Sequence, residues 1–208
     1  MKPVNLIMFD YDGVIVDSLQ VFCMNYIAAC QENGLSEIET EKDVLALFEH
    51  NVYATLLQRG VMAQTIDKIL KDYERRQSEY LLELKLFDSM GDALNEISKN
   101  NKIFIITSNV SIATESVMQR HGINCFEEVI GAEKEKSKIR KIEMVMARFK
   151  ELPAFYVGDT KGDMIEGKAA GTKTVGVAWG WHGIEKLKEG GADFIVQSPQ
   201  ELVSLFLK

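Results

Sequence analysis

Cysteine is scarce in this sequence. The 208 residues hold only Cys23, Cys30 and Cys125, with no C-x-x-C pair. That excludes a disulfide framework and the close ligand spacing of a thiolate zinc site, and the odd count fits a reducing compartment. Cys23 and Cys30 fall seven apart, on one helical face, and are expected to pack as small hydrophobes. No apolar run approaches the ~20 residues of a membrane span. The N-terminus lacks the basic stretch and long apolar run of a signal peptide. A cytoplasmic protein is therefore expected. Positive charge is also short, 24 basic residues against 31 acidic, for a net −7. Such a balance offers no footprint to nucleic acid or to an anionic membrane. An anionic substrate would need local positive charge or a metal. There is no internal repeat, low-complexity tract or obvious linker. What remains is an ordinary globular composition, 46% apolar and 26% charged, at a length that suits one domain plus an insertion, or two small domains.

The informative stretch is residues 4–18. Val4 to Phe9 is an apolar run of strand length. It ends in Asp10 and Asp12, two carboxylates two residues apart, followed by Gly13. Like charges this close repel unless a cation or a proton compensates. Asp10, fixed by the strand, could attack a phosphoryl group. Asp12 could protonate the leaving oxygen and later activate water. Gly13 allows a sharp turn. The same residues would also suit a solvated turn after a strand.

Further along, Leu19, Phe22, Cys23, Tyr26, Ile27 and Cys30 recur at helical spacing, and Gly34 marks a stop. Residues 40–84 continue as helix: Thr40 with Asp43 reads as a cap, Gly60 as a stop, and a long polar-faced helix as running from about residue 62 to 84. From Ser89, expected to cap a helix, the pattern becomes alternating. Strands are predicted at 102–109, ending in hydroxyls, near 128–131, at 153–159, ending in a carboxylate, at 174–178 and at 194–196, with helices between. A capping box is read at Ser198-Pro199-Gln200-Glu201. Near-continuous apolar strands imply a parallel sheet buried on both faces. Right-handed crossovers then bring all strand C-terminal ends to one edge. Asp10, Thr107 and Asp159 should meet there.

Gly158-Asp159-Thr160-Lys161-Gly162-Asp163 repeats the strand-end carboxylate signal. Magnesium (Mg2+) takes oxygen ligands, and one or two carboxylates plus a substrate phosphate suffice. Asp10, Asp159 and Asp163, with the backbone carbonyl of Asp12, form a candidate acidic cup. Asp163 would equally suit a helix first turn for its dipole. Thr107, Ser108 and Asn109 precede a helix and could bind an anion; Asn109 or Ser111 could instead be an N-cap. A lysine must offset the carboxylates. Lys138, at the start of an amphipathic helix, is the first choice and Lys136 the second. His50, His121 and His182 are isolated, and His121 before Gly122 reads as a helix end.

This ordered set resembles the haloacid dehalogenase-like hydrolase superfamily, in its phosphoglycolate-phosphatase-like branch. The motifs are Asp10-Tyr11-Asp12-Gly13, Thr107, Lys138 and Gly158-Asp159-x-x-x-Asp163, and they span nearly the whole chain. The resemblance implies an α/β fold: a Rossmann-like, doubly wound parallel sheet core at 1–15 and 85–208, with an all-helical cap inserted after the first strand at 16–84. It implies Asp10 as nucleophile, Asp12 as general acid and base, Thr107 and Lys138 on the phosphoryl group, and Asp10, Asp12, Asp159 and Asp163 about a magnesium ion. Gly13, Ser108 and Asn109 fall in substrate-binding positions. Family members that dehalogenate typically lack the second carboxylate, so Asp12 favours an alcohol leaving group. The lysine motif departs from the branch's usual Lys-Pro-x-Pro, reading Lys136-Ser137-Lys138-Ile139. Glu49, His50 and Asn51 fall where the cap's specificity loop would lie and are candidates for substrate contact, though a plain inter-helix loop accounts more readily for any one of them.

The expected activity is magnesium-dependent hydrolysis of a small phosphorylated metabolite, phosphoglycolate-like. The competitors are a sugar-phosphate mutase, a catalytically weak phosphometabolite-binding relative and a phospho-accepting signalling module. Receiver modules of that last kind are single domains of roughly 120 residues without a helical insertion. The oligomeric state is left open.

Overall fold

The fold is taken from a computed structural model, which describes residues 4–77, 80 and 83–207. Its centre is a six-stranded sheet, every pairing parallel, in the order β5-β4-β1-β6-β7-β8. β1 (Leu6–Asp10), β4 (Lys102–Ile106), β5 (Glu128–Ile130), β6 (Ala154–Gly158), β7 (Lys173–Val177) and β8 (Phe194–Val196) supply it. The two-residue periodicity of a strand explains why these runs are apolar throughout. Ile7 and Phe9 point into one apolar cluster, with Ile103, Ile105 and Val157. Leu6 and Met8 point into another, with Phe104, Ile106 and Tyr156. The first cluster also takes Met90, Leu94 and Ile97 of α5 (Met90–Ser98), Val117 and Met118 of α6 (Ser111–Arg120), and Leu202 and Phe206 of α10 (Pro199–Phe206). The second takes Ile142 and Val145 of α7 (Lys138–Arg148). Helices cover both faces, which makes the sheet doubly wound.

β1 pairs with β4 on one side and β6 on the other. The strand order therefore reverses at β1, and the crevice beyond its C-terminal end is where open α/β sheets take ligands. Asp10 closes β1, opposite Ile106 of β4. Thr107 and Asp159 each lie one residue beyond a neighbouring strand. All three stand on that edge, as the alternation predicted.

Between β1 and β4 lie α1 (Leu19–Glu32), α2 (Glu41–Leu47), α3 (Val52–Gln58) and α4 (Ala63–Gln77). They share a third apolar cluster, including Cys23, Tyr26, Cys30, Leu47, Leu56 and Ile69. Both cysteines are buried there, as expected of small hydrophobes. Thr40 and Asp43 form a full capping box on α2, and Gly34 and Gly60 adopt the positive φ of helix stops.

Several local readings change. The long helix expected to residue 84 ends at Gln77; residues 78, 79, 81 and 82 lie outside the described residues. The chain enters and leaves the helical segment through a two-stranded antiparallel ribbon, β2 (Val16–Asp17) against β3 (Lys85–Leu86). Two residues are too few to show an alternation, so sequence periodicity was blind to it. Ser89 precedes α5 but makes no side-chain cap; it has φ of 62°, not the extended backbone an N-cap needs. Ser198 caps α10, yet Glu201 accepts from the Gln197 N–H rather than from Ser198, so the box is only half formed. The N-cap of α6 is Val110, without a side-chain bond. Asn109 and Ser111 have taken tertiary partners instead.

Candidate active site

Asp10 is held from two directions. Its Oδ1 accepts from the Tyr11 N–H at 2.8 Å and its Oδ2 from Lys138 Nζ at 2.8 Å. Lys138 is the first residue of α7, set there by the Ser137 N-cap. The same ammonium donates to Asp163 Oδ1 at 2.6 Å. Asp163 is the third residue of α8 (Lys161–Ala169), in a capping box with Thr160. Its Oδ2 accepts from Thr160 Oγ1 and from two backbone N–H groups, so both oxygens are engaged. Lys136 is exposed, so the structure brings Lys138 to the carboxylates and leaves Lys136 on the surface.

Asp159 follows β6. Its Oδ2 accepts from the Trp181 N–H at 2.7 Å, while Oδ1 is buried without a hydrogen-bond partner among the described residues. Asp12 has the same pattern: Oδ2 accepts from Asn109 Nδ2 at 2.7 Å, and Oδ1 is buried with no hydrogen-bond partner among the described residues. Gly13 has φ of 73°, and a Cβ there would lie 2.0 Å from Asp159 Oδ2. Its need for glycine is thus close approach to Asp159 as well as the turn. Thr107 is wholly buried; its Oγ1 accepts from the Asn109 N–H at 3.0 Å. Ser108 is exposed and lines the cavity.

These groups carry too much negative charge for one ammonium. Burial pushes Asp10 up to about 7, with Lys138 opposing. Burial, then Asp163 and Asp10, hold Asp159 well above the carboxylate range. Burial also raises Asp12. For Asp163 burial acts upward but is outweighed, chiefly by Lys138, leaving it below its usual value. Burial acts to lower Lys138, yet Asp10 and Asp163 outweigh it and raise it well above normal. Oxygens of Asp10, Asp159 and Asp163 all lie within 4.8 Å of one another. A buried carboxylate oxygen with no donor calls for a partner. An all-oxygen set with Asp159 Oδ1 unmatched fits a hard divalent cation such as magnesium.

Sequence reasoning missed two things. Lys141, one turn beyond Lys138, is buried, and its Nζ donates to the Thr107 carbonyl. Burial and then Lys138 pull it down to about 8. The Lys-x-x-Lys spacing on one helix face was the available signal. The second is an aromatic wall. Phe22, Phe48, Tyr73 and Trp181 line the cavity with the carboxylates. Phe22 meets Trp181 at 4.6 Å, Tyr73 at 4.9 Å and Phe48 at 5.4 Å between ring centroids.

The polar residues expected to touch substrate from the helical segment go elsewhere. His50 is exposed and outside the cavity lining. Glu49 pairs with Lys186 at 2.9 Å. Asn51 caps α3 and donates to Glu166 at 3.2 Å. Together with Gly162 N–H to Phe48 O and His182 Nε2 to Leu45 O, these contacts clamp the segment onto the sheet-bearing part. His182 lies in the loop between β7 and α9 (Ile184–Glu189). No neighbouring residue in the sequence marks it, because its partner Leu45 lies 137 positions away.

The family model described as haloacid dehalogenase-like hydrolase matches residues 7–177. A phosphoglycolate phosphatase from Synechococcus elongatus is 27% identical, over 95% of this chain and 94% of its own length. Pyrophosphatase PpaX from Bacillus velezensis is 25% identical, over 98% and 97%. A haloacid dehalogenase-like family hydrolase from Streptococcus pneumoniae superposes with a TM-score of 0.80 at 22% identity, covering 98% of each chain. At that identity the superposition speaks for the fold.

Proposed function

The chain belongs to the haloacid dehalogenase-like hydrolase family, and from that premise we propose a magnesium-dependent phosphatase that hydrolyses a small-metabolite phosphomonoester through an aspartyl-phosphate. The carrying observation is Asp10, fixed at a strand end beside Lys138, with the partnerless oxygens of Asp12 and Asp159 in the same cavity.

Asp10 attacks phosphorus as the bond to the alcohol oxygen breaks. Asp12, oriented by Asn109, delivers its proton to that oxygen. Its burial favours the protonated form needed at this point. Asp12, now a carboxylate, then takes a proton from water. The water attacks phosphorus, the bond to Asp10 breaks, and inorganic phosphate leaves. Lys138 offsets charge on Asp10 and on the transferring group, and the Thr107–Asn109 turn, braced by Lys141, offers N–H and hydroxyl groups to the phosphoryl oxygens. Asp10, Asp159 and the Asp12 carbonyl would hold magnesium, with Asp163 fixing Lys138 and the Asp159 backbone. When bound, the ion would supply charge neutralisation on the phosphoryl group.

Residues 16–84 serve as the cap, which excludes water and selects the leaving group, over a core of 1–15 and 85–208. The test is release of phosphate from phenyl phosphate by the purified protein. Turnover with magnesium that disappears in EDTA is expected. Turnover that survives EDTA, or none with magnesium, would overturn the reading.

A further inference from the structure

The reaction above uses the carboxylates and Lys138 and says nothing of the aromatic wall. Phe22, Phe48 and Tyr73 come from the helical segment, and Trp181 from the loop after β7. Lys138 is the only basic residue lining the cavity among the described residues, and its Nζ is already shared between Asp10 and Asp163. The undescribed residues between α4 and β3 (Ser78, Glu79, Leu81 and Leu82) include no basic side chain. A carboxylate or second phosphate on the leaving group would be buried against ring faces, themselves electronegative, beside four carboxylates.

The wall does carry two neutral donors. Tyr73 is 7% exposed and Trp181 is 8% exposed. The Tyr73 hydroxyl and the Trp181 Nε1–H are both buried with no hydrogen-bond partner among the described residues. Burial and then the Asp12 carboxylate hold the Tyr73 hydroxyl well above its usual range, so it lies within electrostatic reach of the acid–base residue. Both residues line the one cavity, and a buried donor without a partner calls for an acceptor. The free space inside the cavity is small, about 70 Å³, so the leaving group that fits it is compact.

We propose that the leaving group is an uncharged polyol or ring alcohol whose carbon face lies on Phe22 and Phe48 and whose hydroxyls accept from Tyr73 and Trp181, and that anionic leaving groups are rejected. This rests on the phosphatase reading above. It separates this chain from relatives whose names specify phosphoglycolate or pyrophosphate, substrates with a charged leaving group.

The experiment compares kcat/KM, with magnesium, for glycerol 3-phosphate and mannitol 1-phosphate against phosphoglycolate and pyrophosphate, with phenyl phosphate as control. The better polyol phosphate is expected to exceed both anionic competitors by about tenfold or more. A smaller ratio, or either competitor ahead, overturns the proposal while phenyl phosphate turnover keeps the phosphatase reading standing. No turnover of any of the five overturns both. Tyr73→Phe sharpens the result. It is expected to raise KM for the preferred polyol phosphate by about threefold to tenfold, with a smaller rise for phenyl phosphate, which has no hydroxyl to offer. An equal rise on both substrates overturns the assigned hydrogen bond.

Discussion

The two sides of the cavity are built from opposite chemistries. The sheet edge presents Asp10, Asp12, Asp159, Asp163 and Lys138, each tied by hydrogen bonds to backbone, to the Asn109 side chain or to one another. The wall opposing them in kind is Phe22, Phe48, Tyr73 and Trp181, held by ring contacts. Charge on the first side is expensive and must be compensated; the second side offers shape and two neutral donors. The difference separates tasks. On the reading proposed above, bond-making belongs to the edge and choice of alcohol to the wall. Trp181 joins them, since its N–H holds Asp159 while its ring packs on Phe22 and Phe48.

The sharpest break comes at the edge. Asp10→Asn keeps the side chain's size but removes the nucleophile, and is expected to lower kcat on the order of 10⁴-fold, read from phosphate release. Retained turnover would deny Asp10 its role.

On the wall, Phe22→Ala should act through packing. It removes a ring that touches Tyr26, Phe48, Tyr73 and Trp181. A loss of about 3 kcal/mol in denaturant unfolding is expected. The effect on kcat should be far smaller than that of Asp10→Asn. A fall in kcat as large as that of Asp10→Asn, without loss of stability, would erase the division of labour.

The mildest effect concerns the clamp. His182 Nδ1 accepts from the Lys161 N–H and Nε2 meets the Leu45 carbonyl, so the ring is held neutral. Burial lowers its folded pKa below the ordinary 6.5. The unfolded chain therefore binds the proton more readily, and stability is fully present above about pH 6.5 and falls as pH drops through and below it. The thermal midpoint should decline there. In His182→Gln that part of the decline should flatten, and an unchanged pH slope would remove His182 from the clamp.

Much of this was legible from local pattern. The strand runs, the carboxylates that end them and the stops at Gly34 and Gly60 are written in periodicity and backbone preference, which short stretches carry by themselves. The parallel alternation by itself also puts Asp10, Thr107 and Asp159 on one edge, because crossover handedness leaves little choice. The polar residues of the helical segment were less legible. Glu49, His50 and Asn51 sit beside Phe48 in sequence, yet Phe48 faces the cavity while Glu49 and Asn51 bind the core and His50 stays exposed. Polarity marks a residue as able to bind something, not which surface it meets.

The sequence alone therefore determined the sheet, its winding and the identity of the edge carboxylates. Tertiary structure alone decided Lys138 over Lys136, Asn109 as the partner of Asp12, Lys141 beneath Thr107, and the aromatic wall. The reason is distance along the chain. Lys138 meets Asp10 across 128 positions and Asn109 meets Asp12 across 97. Periodicity reports which face of its own element a side chain occupies. Only packing of one element on another selects the partner it finds there.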